Sequence, residues 1–249
     1  LGALNCPFGT GHMGVTAENV AAEHDVSRAE QDAFAMTSQT RAAAAIRDGR
    51  FEDQITPVSV KVKRDKVDFI CDEHPKQTDE AALAGLRPVF QKDGSVTAGN
   101  ASGINDGAAA LVLAQASAAQ MAGLRPRARV LGYAHAGVRP AVMGIGPIPA
   151  VQNLLQKTGL TVEDFDVIES NEAFAAQALA VNKALGLDAA RVNPNGGAIA
   201  LGHPVGATGA ILVIKALHEL ERTQSDRALI TMCIGGGQGI ALAIERVAA

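Results

Sequence analysis

Glycine placement constrains this chain most. Of its 26 glycines, twelve gather in residues 99–107, 196–209 and 235–239, and the stretches between them alternate between helical and strand-like apolar patterns. Glycine of this kind marks tight turns and points where backbone approaches backbone, so the pattern reads as an α/β fold. The 249 residues are enough for a sizeable core and for more than one domain. Glycine, polar and charged residues interrupt every apolar run before the ~18 residues of a membrane span, so no membrane partner is expected. A formal net charge of -4 argues against a basic nucleic-acid-binding surface. Cys6, Cys71 and Cys233 make no disulfide framework and fit a reducing compartment, with the cytoplasm as the expected location. Leu1 stands where a Met would begin a chain, which leaves room for a targeting segment or a preceding region.

From Ser27 the sequence carries a capping box, with Glu30 three residues on, then Ala-rich helical filling and Gly49 as the stop, predicting a helix over 28–48. VSVKVK at 58–63 alternates with period two and predicts a half-exposed strand. The neighbouring Lys61, Lys63, Arg64 and Lys66 read as its solvated edge in preference to a phosphate site. AAALVLAQ at 108–115 reads as a buried strand, 118–122 as a short helix ended by Gly123, and 127–138 as a long strand. A turn at Pro147 and Pro149 leads into a helix through Lys157. Residues 166–169 read as a short strand and 173–185 as an amphipathic helix ended by Gly186. Residues 206–221 read as a helix whose inner face is nearly all apolar. The apolar runs 227–234 and 240–247 read as a hairpin-like pair across the last glycines. There is no repeat of 20 to 50 residues.

Three segments have the makings of chemistry. Cys233, in MCIGGGQG, lies where an apolar strand meets backbone free to approach a ligand, which suits a catalytic thiol; a buried structural Cys is the commoner outcome in an apolar run. His203, in GHPVGATG, sits on a Pro-stiffened turn before a helix, where a neutral ring serves as base or oxyanion donor. The same turn lacks the Lys of a P-loop and does not match the dinucleotide fingerprint. Asn171, in ESNEAFAAQ, reads first as a helix cap. The remaining histidines, His24, His74, His135 and His218 among them, have no metal-ligand spacing, so no metal is expected.

Taken together and in this order, NEAF at 171–174, GHPVGATG at 202–209 and CIGGGQG at 233–239 resemble the signatures of the thiolase family, and GHMGVTAENVA at 11–21 and TAGNASGINDGAAA at 97–110 resemble the stretches that line its coenzyme A tunnel. HAGV at 135–138 and MGIGPIPA at 143–150 are most similar to bacterial acetyl-CoA C-acetyltransferases and β-ketothiolases. The resemblance implies a thiolase-like layered α/β fold. It divides the chain into a coenzyme A-binding loop domain (1–104), a return segment of the N-terminal half (105–124) and a complete C-terminal domain (125–249). The family's acyl-accepting Cys lies in a Cys-x-Ser-Gly motif that this sequence does not show; Cys6, followed by Pro7, is not accepted in its place. The N-terminal half is therefore expected to be largely missing, the chain alone inactive, and its uncovered apolar faces prone to association.

The activity implied is the Claisen condensation of two acyl-CoA molecules, or thiolytic cleavage of a 3-oxoacyl-CoA, through an acyl-cysteine. By resemblance His203 takes the proton of the nucleophilic Cys and, with a water held by Asn171, stabilises a thioester oxygen. Cys233 moves the α-proton, and the Gly235 N–H serves a second oxyanion site. His12 and Ser102 match positions on the pantetheine arm; Met13, Phe90, Ala98 and Phe174 match positions lining the pocket and tunnel. Coenzyme A and acetyl-CoA are substrates, no cofactor is bound covalently, and a homodimer or homotetramer is expected. A ketoacyl synthase relative shares the fold but carries His where this chain has Cys233, and a non-catalytic acyl-CoA-binding or partner chain is the alternative outside enzymes.

Overall fold

A computed structural model describes residues 2–247. The elements of its first half are α1 (Met13–Glu23), α2 (Arg28–Arg47), β1 (Val58–Val62), β2 (Asp65–Phe69), α3 (Glu80–Ala84) and α4 (Ala116–Met121). There follow β3 (Ala128–Gly137), α5 (Pro147–Thr158), β4 (Val167–Ser170), α6 (Ala175–Leu185), α7 (Ala198–Leu201), α8 (Thr208–Thr223), β5 (Arg227–Ile234) and β6 (Gln238–Arg246).

The fold is organised by a four-stranded sheet of order β3-β6-β5-β4, with β4 parallel to β5 and the other pairs antiparallel. Strand periodicity sends alternate residues to opposite faces. Ile168 and Leu229 join Val151 and Leu154 of α5 and the buried Phe165. Val167, Ala228 and Ile230 join Leu212, Ala216 and Leu220 of α8. Both faces are covered, which is why RALITMCI reads as an almost continuous apolar run. Beyond α5, α6 packs on α1 and α2. Its buried Ala176 and Ala180 meet Val20, Ala21 and Val142, small side chains that allow close approach.

Local signals explain the best-anticipated elements. The Ser27 hydroxyl accepts from Glu30 N–H at 3.2 Å while the Glu30 carboxylate accepts from Ser27 N–H at 2.7 Å, so α2 starts where its capping box places it. Pro147 opens α5, and Gly159 and Gly186 close α5 and α6 in the left-handed conformation. The expected pair of apolar strands forms, with Cys233 opposite Gly239 across the turn.

Two expectations fail, and one strand was not anticipated. Residues 108–115 form no strand: Val112 is 93% and Leu113 83% exposed, and no ladder partner is present among the described residues. A strand needs neighbours for its N–H and C=O groups, which an apolar pattern alone does not supply. Strand 58–63 is found as β1, but its partner β2, closing a ribbon through Lys63 at φ 57°, was not anticipated. The inner face of α8 is not all apolar: Lys215 and Glu219 are buried in it, with Lys215 Nζ 2.7 Å from the fully buried Glu169 carboxylate.

Candidate active site

His203 lies in the turn between α7 and α8. Its backbone N–H is held by Gly103 O at 3.3 Å and by Asn105 Oδ1 at 3.1 Å, so residues 97–107 fix the turn from outside. The ring Nδ1 is 2.6 Å from Thr208 Oγ1, and the Thr208 hydroxyl donates to Pro204 O at 2.9 Å. With the one hydroxyl proton committed to the carbonyl, Nδ1 carries hydrogen and donates to Thr208. Nε2 is left as a free acceptor. Burial holds His203 below its ordinary value, so the ring is neutral.

This Nε2 faces Asn171, whose Nδ2 donates to it at 3.4 Å. Asn171 is not a helix cap. The N-cap of α6 is Phe174, with no side-chain cap bond, and Asn171 sits buried in the loop after β4, its N–H bonded to Thr231 O at 3.0 Å. A tertiary contact 32 residues away thus takes the side chain that local sequence assigns to capping. Its Oδ1 is buried and has no hydrogen-bond partner among the described residues, an unsatisfied acceptor beside the His203 ring.

Cys233 is the next-to-last residue of β5 and is buried with Met143 and Ala173, with Met13 and Phe174 packed against them. Burial pushes its thiol up to about 12, so it is protonated at neutral pH. Gly235 lies two residues on, and a Cβ there would meet the Met13 methyl, which packs directly against the turn. Gly236 and Gly237, at φ 84° and 90°, complete the reversal.

The remaining positions form the wall. His12 caps α1, its Nδ1 accepting from Gly14 N–H at 3.0 Å, and its ring stacks on Phe90 with centroids 4.9 Å apart. Phe90 in turn meets Phe174 edge-on at 6.1 Å. Ser102 N–H donates to Ala173 O at 3.0 Å. His12, Phe90, Phe174, Met13, Cys233 and Gly235 therefore form one continuous series of contacts, and the segment 171–174 joins it to Asn171 and His203. Ala98 is set apart, exposed at the edge of a cavity of about 240 Å³ lined also by His74, Lys76, Leu83, Leu86 and Gly99. Sequence reasoning missed Thr208 and Asn105, which fix the His203 tautomer and backbone; a hydroxyl five residues after His203 in GHPVGATG was the available signal. No group of three or more His, Cys, Asp or Glu suited to a metal occurs among the described residues.

Family models for the thiolase N-terminal and C-terminal domains match residues 2–117 and 124–246. The expectation of a largely missing N-terminal half is therefore not supported by this match. The chain is 59% identical to the beta-ketothiolase BktB of Cupriavidus necator over 99% of its own length and 63% of that protein's. It is 56% identical to the acetyl-CoA acetyltransferase of Escherichia coli over 98% of its length and 62% of that protein's. Among solved structures, it is similar to Bacillus anthracis acetyl-CoA acetyltransferase with a TM-score of 0.96 at 49% identity, covering 98% of this chain and 62% of that one. Human mitochondrial 3-ketoacyl-CoA thiolase in complex with CoA gives 0.91 at 43% identity, covering 98% and 61%. The chain thus spans somewhat less than two thirds of these relatives.

Proposed function

The chain belongs to the thiolase family, and from that premise we propose that it performs the proton chemistry of an acyl-CoA acyltransferase: Claisen condensation of two acyl-CoA molecules, or cleavage of a 3-oxoacyl-CoA by coenzyme A. The observation that carries this reading is a neutral His203 whose Nε2 is unprotonated and accepts from Asn171, joined through residues 171–174 to the wall around a buried, protonated Cys233. His203 Nε2 takes the proton of the attacking thiol and then, as a donor beside a water held by Asn171, stabilises the thioester oxygen. In cleavage the C2–C3 bond breaks, its electrons pass to the acetyl enolate, and the Cys233 S–H gives that carbon its proton. In condensation the Cys233 thiolate takes the same proton back. A thiol raised to about 12 is held ready as the proton donor in cleavage, whereas abstraction in condensation requires that it first release its proton and act as the thiolate.

His12 and Ser102 are assigned to the pantetheine arm, Met13, Phe90 and Phe174 to the pocket wall, and the Gly235 N–H to the second oxyanion site. The cavity beside Ala98 and Lys76 is assigned to coenzyme A. The acyl-accepting thiol is assigned to none of the three cysteines. Cys71 is exposed, Cys233 is the acid/base, and Cys6 lies in a tight turn whose N–H pairs with Gly11 O. Cytoplasmic location and a homodimer or homotetramer complete the proposal; cysteine usage supports the first and family likeness the second.

The test is deuterium wash-in to the acetyl methyl of acetyl-CoA in D2O, which needs the Cys233 acid/base but no acyl-enzyme. Wash-in by the wild-type chain, reduced at least ~10²-fold by Cys233→Ala, is the expected result. Binding without wash-in would leave a non-catalytic acyl-CoA-binding chain, and undiminished wash-in by Cys233→Ala would remove Cys233 from its role. Intact mass after incubation with acetoacetyl-CoA is expected to show no acyl adduct.

A further inference from the structure

Beside Asn171 sits a carboxylate that the chemistry above does not use. Glu172 is 2% exposed. Three donors from three parts of the chain converge on it. Ser38 Oγ of α2 donates at 2.6 Å, Asn193 Nδ2 at 2.9 Å and the backbone N–H of Ile199, in the first turn of α7, at 3.3 Å. Ser38 Oγ in turn accepts from Gly197 N–H at 3.0 Å, so its hydroxyl proton is directed at Glu172. Gly197 itself has no room for a Cβ, which would collide with the Glu172 carboxyl group. Asn193 also donates to Ser170 O at 2.8 Å and accepts from Ser170 N–H at 2.9 Å, tying the far loop to the end of β4.

The two adjacent side chains therefore hold the two ends of one short segment. Glu172 holds Ile199 near its start, and Asn171 meets the ring of His203 at its end. We infer that Glu172 is a positioning residue that keeps Asn171 and His203 in register, by locking the 193–199 loop and α7 onto the loop that carries Asn171. Every group that reaches the carboxylate is a donor, so both oxygens must accept. A primary amide of the same shape turns one acceptor into a donor and sets it against Ser38 and Ile199 or against Asn193. The bond it disturbs is long, at 3.4 Å between Asn171 and His203. A displacement of about 1 Å between groups that act together costs ~10²-fold in rate.

This inference rests on the acyltransferase reading for its rate readout but not for its spectroscopic one. The experiment compares the wild-type chain with Glu172→Gln, Glu172→Asp and Ser38→Ala, measuring deuterium wash-in to acetyl-CoA, the ¹⁵N shifts of the His203 ring and the thermal midpoint. Glu172→Gln is expected to lower the saturating wash-in rate by about 10- to 100-fold with the half-saturating concentration within about twofold, and to move the His203 Nε2 shift as its bond from Asn171 lengthens. Glu172→Asp is expected to fall between it and wild type. A lower midpoint with His203 shifts and rate per folded molecule unchanged would mean that Glu172 only stabilises, and would overturn the inference. Should Glu172→Gln not fold, Ser38→Ala removes a single donor, and unaltered His203 shifts there overturn it equally. Absence of wash-in by wild type would sink the acyltransferase reading alone, since the nitrogen shifts of the variants still decide the positioning role.

Discussion

Residues 227–234 (RALITMCI) and 108–115 (AAALVLAQ) are both short apolar runs, yet the first is the buried β5 and the second lies in the open. β5 is hydrogen-bonded to β4 on one side and to β6 on the other, and its residues 228–231 are at most 5% exposed. Residues 108–115 have no such flanks among the described residues, and Val112 and Leu113 stand almost fully exposed. Composition sets how much a segment gains from burial. Partners for its backbone and covers for its faces decide whether that gain is realised. The candidate site residues also hang from the well-covered region: Cys233 from the end of β5 and Asn171 from the loop after β4, which β5 holds through Thr231 O.

The comparison breaks most severely at the ion pair inside the covered region. Lys215 Nζ reaches Glu169 Oε2 at 2.7 Å and Gly196 O at 2.6 Å, with the two side chains 5% and 0% exposed. Burial alone drives the Glu169 carboxyl upward, and Lys215 is the group that opposes this most. Lys215→Met is expected to cost about 3–5 kcal/mol in urea unfolding because it leaves a buried carboxylate unpaired. Replacing both partners, as Lys215→Met with Glu169→Leu, is expected to recover most of that loss. A loss below ~1 kcal/mol for the single variant would show that water reaches the pair and that this layer is less well covered than its geometry indicates.

A smaller effect separates the end of β5 from the rest. Burial raises the Cys233 thiol from 9.0 to about 12, so at pH between those values the folded chain holds a proton that the unfolded chain has released. Stability contributed by this group is therefore intact below pH ~9 and is lost as pH rises toward 12. Between pH 8 and pH 10 the loss amounts to about 1.4 kcal/mol. The same titration of Cys233→Ala is expected to lack this component. Equal slopes in the two proteins would mean that Cys233 is open to solvent.

How much of this was legible depended on the range of the interaction. The start of α2 was readable because Ser27 and Glu30 satisfy each other within three residues, and the close of α5 because Gly159 follows it directly. The roles of Asn171 and α8 were misread because their partners are distant in sequence. Asn171 looks like a cap until His203 is placed beside it, and the inner face of α8 looks nearly all apolar until Lys215 is found buried in it against Glu169. The three site segments were legible as motifs, but the tautomer of His203 depends on Thr208 and Pro204 together, and the three donors around Glu172 come from α2, the 193 loop and α7. The strand expected over 108–115 failed for the complementary reason: local pattern was present and tertiary partners were not.

The smallest expected effect sharpens the comparison furthest, because it asks whether the open segment is open in solution. Val112→Asp with Leu113→Asp puts two charges on side chains that are 93% and 83% exposed. Charges placed there lose no hydration and open no cavity, so the unfolding free energy is expected to stay within about 0.5 kcal/mol of wild type. The same pair within a covered strand would cost several kcal/mol for each unpaired charge. Association responds differently, because Val112 and Leu113, like Ile104 at 76% exposure, are apolar side chains in solvent that contact between chains would cover. Sedimentation of the wild-type chain is therefore expected to depend on concentration, and that of the double variant to depend on it less. A destabilisation above ~1 kcal/mol would instead place residues 112 and 113 under cover, and the contrast with β5 would then rest on the missing ladder alone.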